Sequence, residues 1–253
     1  MSYLLHPMKR RGRQGFYKAA GRISSGQRLN MCGRFVFHTP LNLIARRYWD
    51  YQMATGNMVA RYNIAPGTQI ASIRQTPSGE PRFDYAWWGF RPSWADKKAP
   101  APINARIESI KTSRYFQEAF NHQRCVIPAN GWYEWKRLEN GQKQPYYITC
   151  PDLERGEALF FAGLYTPTGE GTSLRVAIIT EPATKKIHHI HDRQPTLVHP
   201  GSLSQWLDPA QTADELRGKI RRTSGDSLAY WLVSTDVNRS SPDNNGSSLI
   251  DPL

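Results

Sequence analysis

Cysteine is scarce in this chain of 253 residues: only Cys32, Cys125 and Cys150 occur. So few, and an odd number, exclude a disulfide framework and suit a reducing cytosol, where thiols stay available for chemistry or pack as small hydrophobes. Long apolar runs are missing as well. Nothing approaches the roughly 18 residues a membrane helix needs, and the N-terminus has no apolar stretch closed by a small-residue cleavage site. The expectation is a cytoplasmic protein without membrane attachment, nucleoid-associated if the source is bacterial. Acidic side chains are absent from the first 30 positions, where Lys9, Arg10, Arg11, Arg13, Lys18, Arg22 and Arg28 carry positive charge. Those seven account for more than half of the formal net charge of +12 and leave +5 for the remainder, so affinity for polyanions is modest outside the leader. Internal repeats are absent. His188, His189 and His191 crowd into four positions, yet their spacing fits no zinc template and no cysteine pair lies near, so neither a metal nor another cofactor is expected.

What is present is enough apolar material, 39% of residues, for one full core. Residues 1–30 read as a disordered basic leader, with translation starting at Met31 or the leader removed. From Met31 the text is globular. Thr39 and Pro40 look like the cap and first position of a helix running through Leu43, Ile44, Arg47 and Tyr48. Further helices are expected at 113–121, 202–207 and 212–222, the last capped by Thr212. Strands are expected at 83–90, 124–127, 132–136, 145–149, 159–164, 174–180 and 197–199, and the last dozen residues read as an irregular tail. The class is therefore α+β, with a mostly antiparallel, barrel-like sheet and peripheral helices.

Four segments could carry chemistry. In Met31-Cys32-Gly33-Arg34-Phe35, removal of everything before Cys32 would leave an α-amine beside a thiol. Such an amine titrates at about 7.7–8.0, so part of it is neutral and can attack an aldehyde. The thiol can then close on the imine to give a thiazolidine; a buried, inert cysteine is the plainer alternative. In Pro102-Ile103-Asn104-Ala105-Arg106-Ile107-Glu108, Asn104 offers a donor and an acceptor and Arg106 a fork suited to phosphate, or the two simply serve a turn. In Gly131-Trp132-Tyr133-Glu134-Trp135, strand alternation puts Trp132 and Glu134 on one face and Tyr133 and Trp135 on the other. Burial beside an indole would raise the Glu134 pKa and fit it for proton transfer, unless it pairs with an arginine. In Ile190-His191-Asp192-Arg193, His191 is the histidine suited to moving protons, with His188 and His189 at the surface. Cys125 reads as core, and Cys150 as structural or exposed.

In this order, these segments, together with Arg61-Tyr62-Asn63-Ile64-Ala65-Pro66-Gly67-Thr68 and Trp88-Gly89-Phe90, resemble the SOS-response-associated peptidase (SRAP) family of abasic-site processing proteins. The resemblance implies a single SRAP-like domain over 31–253 that captures abasic sites in single-stranded DNA through a thiazolidine at Cys32. It implies that Asn104 orients the cysteine and sugar, Glu134 moves protons during imine formation, and His191 serves ring opening at the sugar oxygen. Arg34, Arg106 and Arg193 would hold phosphates, and Trp94 and Trp135 would contact DNA. A lyase side activity, self-cleavage before Cys32, a monomeric state and replication-fork partners belong to the same expectation. The chain departs from the family at Ala95, where relatives often carry a second bulky residue, and in its leader, since an acylated Cys32 has no free amine. Two competing readings are a non-covalent single-stranded nucleic-acid-binding module and a cysteine peptidase pairing Cys32 with His191.

Overall fold

The computed structural model describes residues 32–53, 59–168, 173–212, 214–216 and 222–253. The basic leader therefore lies outside the described residues, as does most of the helix expected at 212–222. Thr212 and Glu215 nevertheless cap each other reciprocally: the Glu215 N–H donates to the Thr212 hydroxyl and the Thr212 N–H to the Glu215 carboxylate.

Two sheets make the frame. The first is antiparallel and five-stranded, in the order β12 (Ala229–Leu232), β8 (Lys143–Thr149), β7 (Gly131–Arg137), β1 (Phe35–Phe37) and β2 (Arg61–Ile64). The second contains β3 (Gln69–Gln75), β4 (Pro81–Trp88), β5 (Asn104–Arg106), β6 (Arg124–Ala129), β9 (Leu159–Pro167), β10 (Leu174–Pro182) and β11 (Arg193–Pro195). Within it β3, β4, β10, β9 and β6 pair in a closed circuit, so the sheet curls on itself as a barrel. Among the described residues, only the pairings of β10 with β4 and with β5 are parallel. The expected α+β class and mostly antiparallel, barrel-like sheet are what the chain adopts.

Aromatic side chains join the two sheets. Phe35 meets Trp88 at 5.3 Å and Phe161 at 5.9 Å, and Trp132 meets Phe161 at 5.9 Å, all edge to face. Such pairs bury large apolar area and add directional attraction between rings. The other face of the five-stranded sheet presents Val36, Tyr133 and Tyr147, and these are covered by Val233, Val237 and Leu249. The expected C-terminal tail is thus a docked element. Its turns at Thr235–Asn238 and Ser247–Ile250 are anchored where the Trp231 indole N–H donates to the Ile250 carbonyl and Asn245 accepts the Tyr62 N–H. Periodicity misses it because short turns pack single side chains rather than a face.

Helices are short. α1 (Leu41–Trp49) begins at Pro40 without a side-chain cap. The Thr39 hydroxyl is occupied elsewhere, donating to the Glu157 carbonyl and accepting from Asn130. α2 spans only Gln117–His122, because 113–116 stays in turns, and α3 (Leu203–Leu207) follows a tight turn at Pro200–Ser202. The strand expected at 197–199 contributes only isolated bridges, at Leu197 and Val198, while the neighbouring ladder is β11.

Candidate functional site

Pairing of β1 with β7 places Phe35 opposite Trp132, and the Tyr133 N–H donates to the Arg34 carbonyl. That register carries Cys32 to the neighbourhood of Glu134, whose side chain, two residues on from Trp132, points between the sheets. The Cys32 main-chain N–H donates to Glu134 Oε1 at 2.9 Å, and both residues are buried. Burial raises the Glu134 pKa to about 7, against the opposing pull of His191 and of the hydrogen bonds from Cys32. Burial, and then the Glu134 charge, push the Cys32 thiol well above its ordinary value. Cys32 also sits at φ +48°, in the left-handed region that costs an L-residue about 1–2 kcal/mol.

His191 closes the cluster from the turn before β11. Its Nδ1 accepts the Arg193 main-chain N–H at 3.1 Å, so the neutral ring carries its proton on Nε2. The same nitrogen lies 3.2 Å from Asp192 Oδ1 and 4.0 Å from Glu134 Oε2, contacts that become favourable once Nδ1 is protonated. One ring nitrogen thus has a partner in either state, as a group that passes protons needs. Asn104 opens β5, paired with Ile178 of β10, two residues before the Arg106 position opposite Thr180.

The arginines and tryptophans are less uniform than their sequence context implies. Arg106 is exposed. Arg34 is half-buried and donates to Asn63 Oδ1 and the Val237 carbonyl, both at 2.6 Å, with its guanidinium 6.0 Å from the centre of the Trp135 ring. Trp135 gives its indole N–H to Asn238 Oδ1 at 2.7 Å. Arg193 is buried, and its fork is occupied by a bidentate pair with Glu108 and by the Thr180 carbonyl. These bonds tie β10, β11 and the segment after β5 together. Trp94 is 57% exposed, lies edge-on to Tyr115 and carries the Arg114 guanidinium 5.1 Å from its ring centre. His188 and His189 are exposed, Cys125 is core and Cys150 half-buried.

Sequence reading missed the partners that hold these groups. Asn63 lies within the 61–68 segment and Glu108 within 102–108, so both stood inside motifs without a role. Thr180 and Val237 carry no signal, being a β-branched strand residue and a lone apolar residue in a turn.

A buried carboxylate titrating near neutrality, beside a nitrogen, a thiol and a histidine, can shuttle protons between an attacking amine and a leaving oxygen. No group of three or more His, Cys, Asp or Glu able to hold a metal occurs among the described residues. Nor is any helix there long and apolar enough to cross a membrane.

The family described as SOS response associated peptidase (SRAP) matches residues 31–240. The chain is 34% identical over 228 residues to the abasic site processing protein YoqW of Bacillus subtilis, covering 87% of this chain and 99% of that one. It is 36% identical over 151 residues to the abasic site processing protein YedK of Escherichia coli, covering 59% of this chain and 65% of that one. A solved phage-related protein from Bordetella bronchiseptica superposes with a TM-score of 0.66 at 27% identity, over 81% of this chain and 95% of that one.

Proposed function

The chain belongs to the SOS response associated peptidase (SRAP) family, and from that premise we propose that it captures abasic sites in single-stranded DNA covalently through Cys32, once the residues before it are gone. The observation that carries the proposal is the bond from the Cys32 nitrogen to a buried Glu134 titrating near 7. With the preceding peptide removed, that nitrogen becomes an α-amine held against a carboxylate that is part protonated at physiological pH.

The sequence of steps follows from these groups. His191 serves opening of the sugar ring by moving a proton at the ring oxygen, leaving an aldehyde. The amine of Cys32 adds to the aldehyde carbon, and Glu134 takes a proton from the nitrogen and returns one to the departing hydroxyl. Water leaves and an imine remains. The Cys32 thiol then loses its proton to Glu134 while sulfur bonds to the imine carbon, and nitrogen regains a proton, closing the five-membered thiazolidine. A thiol held protonated by burial is well timed, because it stays unreactive until the electrophile stands beside it. Asn104 orients the cysteine and sugar, while Arg34 and Arg106 steady the strand through its phosphates. The same imine permits β-elimination of the 3′ phosphate.

Self-removal of the leader draws on the φ of +48° at Cys32. Attack of the thiol on the Met31 carbonyl would give a thioester and free the amine, and water would then release the peptide. The first of these steps breaks the peptide bond and ends the constraint on that φ.

The test incubates the purified chain with single-stranded DNA bearing one abasic site, with the N-terminal mass read in parallel. A species starting at Cys32 should give a denaturation-resistant adduct, and Cys32→Ser should give none. An undiminished adduct from the serine variant overturns the mechanism, and equal affinity for intact and abasic strands without any adduct favours a non-covalent binding module.

A further inference from the structure

β4 turns alternate side chains to opposite sides of the barrel wall. Ala86 and Trp88 are buried, whereas Tyr85 and Trp87 stand outside, 52% and 43% exposed. This is the reverse of what a barrel wall normally does with large aromatics unless something covers them. Phe83, next in the row, is already covered by Tyr51, stacked on it at 5.6 Å. Trp87 is differently placed. Gly67 and Gly89 pass beside its indole, where a Cβ would come within 3.9 and 3.6 Å of ring atoms, so backbone supports the ring while its remaining surface faces solvent.

Cations flank the exposed indole. Arg175 is the register partner of Trp87 on β10 and shares its outward face. Its guanidinium donates to the Gly89 carbonyl at 3.2 Å, and Arg91 donates to the Ala99 carbonyl at 3.2 Å. Both charges are left without a carboxylate partner among the described residues. Burial, and then the charge of Arg91, lower the Arg175 pKa, which places the two cations in each other's field. Tyr115 acts on Arg175 in turn, and Tyr115 is the ring that meets Trp94 at 5.9 Å. Tyr115 also meets Phe90, the residue before Arg91, at 6.2 Å, so Trp94 and Arg114 sit near the end of β4.

We propose that this outer face of β4 is a second single-strand subsite, in which Arg91 and Arg175 hold a phosphate and Trp87 and Tyr85 stack the bases of nucleotides flanking the lesion. The proposal rests on the reading of the chain as a single-stranded DNA enzyme and adds a path for the strand beyond the reacting nucleotide. Residues i and i+2 of a strand stand about 6.6 Å apart, which suits successive unstacked bases, and stacking on aromatic faces with arginine beside them tolerates any sequence. Two like charges held close in a partly buried place favour an anion between them, and the phosphodiester of a stacked nucleotide supplies one.

The experiment compares the wild-type full chain with Tyr85→Ala/Trp87→Ala and with Arg91→Gln/Arg175→Gln. Affinity is measured for lesion-free oligothymidylates of roughly 4 and roughly 16 nucleotides over a range of salt. The aromatic variant should bind the long strand about tenfold more weakly or worse and the short strand as before. The arginine variant should lower the slope of log K against log salt by about 0.7 on the long strand, for the one phosphate no longer neutralised. Unchanged long-strand affinity in both variants overturns the subsite, as does a change confined to self-association in sedimentation. Adduct formation with a short abasic strand is recorded in the same samples. If it persists while long-strand affinity is unmoved, the subsite falls and the capture reading stands; if wild-type protein whose N-terminal mass begins at Cys32 makes no adduct, it is the capture reading that falls.

Discussion

Glu134 binds its proton more tightly folded than unfolded, and this has a measurable price in stability. Between about 4.5 and about 7 the folded chain holds a proton that the unfolded chain has released. Its contribution is therefore fully present below about 4.5 and lost as pH rises through about 7, an effect of roughly 3 kcal/mol. Glu134→Gln cannot titrate, so urea unfolding of the variant should lack this fall, and the gap between the two stabilities should open in the variant's favour as pH rises from 4.5 to 7. The same substitution should slow adduct formation about 10²–10⁴-fold, the usual contribution of a positioned acid–base group. A variant that keeps the wild-type pH dependence would show that Glu134 is not the group titrating there. Arg193 shows the limit of reading single residues. Its place beside His191 suggests a phosphate contact, but its partner Glu108 lies far away in sequence, and a pair of that kind leaves no local mark.

β7 is the element on which the site depends, and it was the most legible. Alternation correctly put Trp132 on one face and Tyr133 and Trp135 on the other, and the structure makes the first the face of the main core. Gly131 starts the strand where it runs tightly against β8: a Cβ there would lie 2.5 Å from the Ile148 carbonyl and from the Tyr147 ring. Only glycine fits, because backbone cannot give way. Gly131→Ala should cost about 1–3 kcal/mol and displace Glu134 from Cys32, seen as a lower urea midpoint together with slower adduct formation. β1 was not legible as a strand. It has three residues, all buried, since one sheet face meets the barrel and the other the C-terminal turns, so no alternation survives.

At the scale of the whole molecule, the five-stranded sheet is covered on both faces, by the barrel and by the C-terminal segment. The family match stops at residue 240, but the packing continues. Deleting 241–253 would uncover the sheet by removing Leu249, the Ile250 acceptor of Trp231 and the Asn245 acceptor of Tyr62. Loss of the Leu249 side chain alone costs about 1.5–3 kcal/mol, so the truncated chain should unfold at lower urea. Arg34, which leans on the Val237 carbonyl and on Asn63 beside that segment, should lose its fixed position, and affinity for single strands should fall with it.

Composition, strand alternation and the order of the motifs determined by themselves the α+β class, the family and the identity of Cys32, Asn104, Glu134 and His191 as candidates, because each of these is written in residue type and local spacing. Tertiary structure alone decided which of them meet. The bond between Cys32 and Glu134, the commitment of Arg193 to Glu108, the docking of the C-terminal turns and the outward aromatics of β4 beside Arg175 all join residues distant along the chain. Such contacts depend on register and closure of the sheets, which pairing energy sets across the whole fold and no local pattern records.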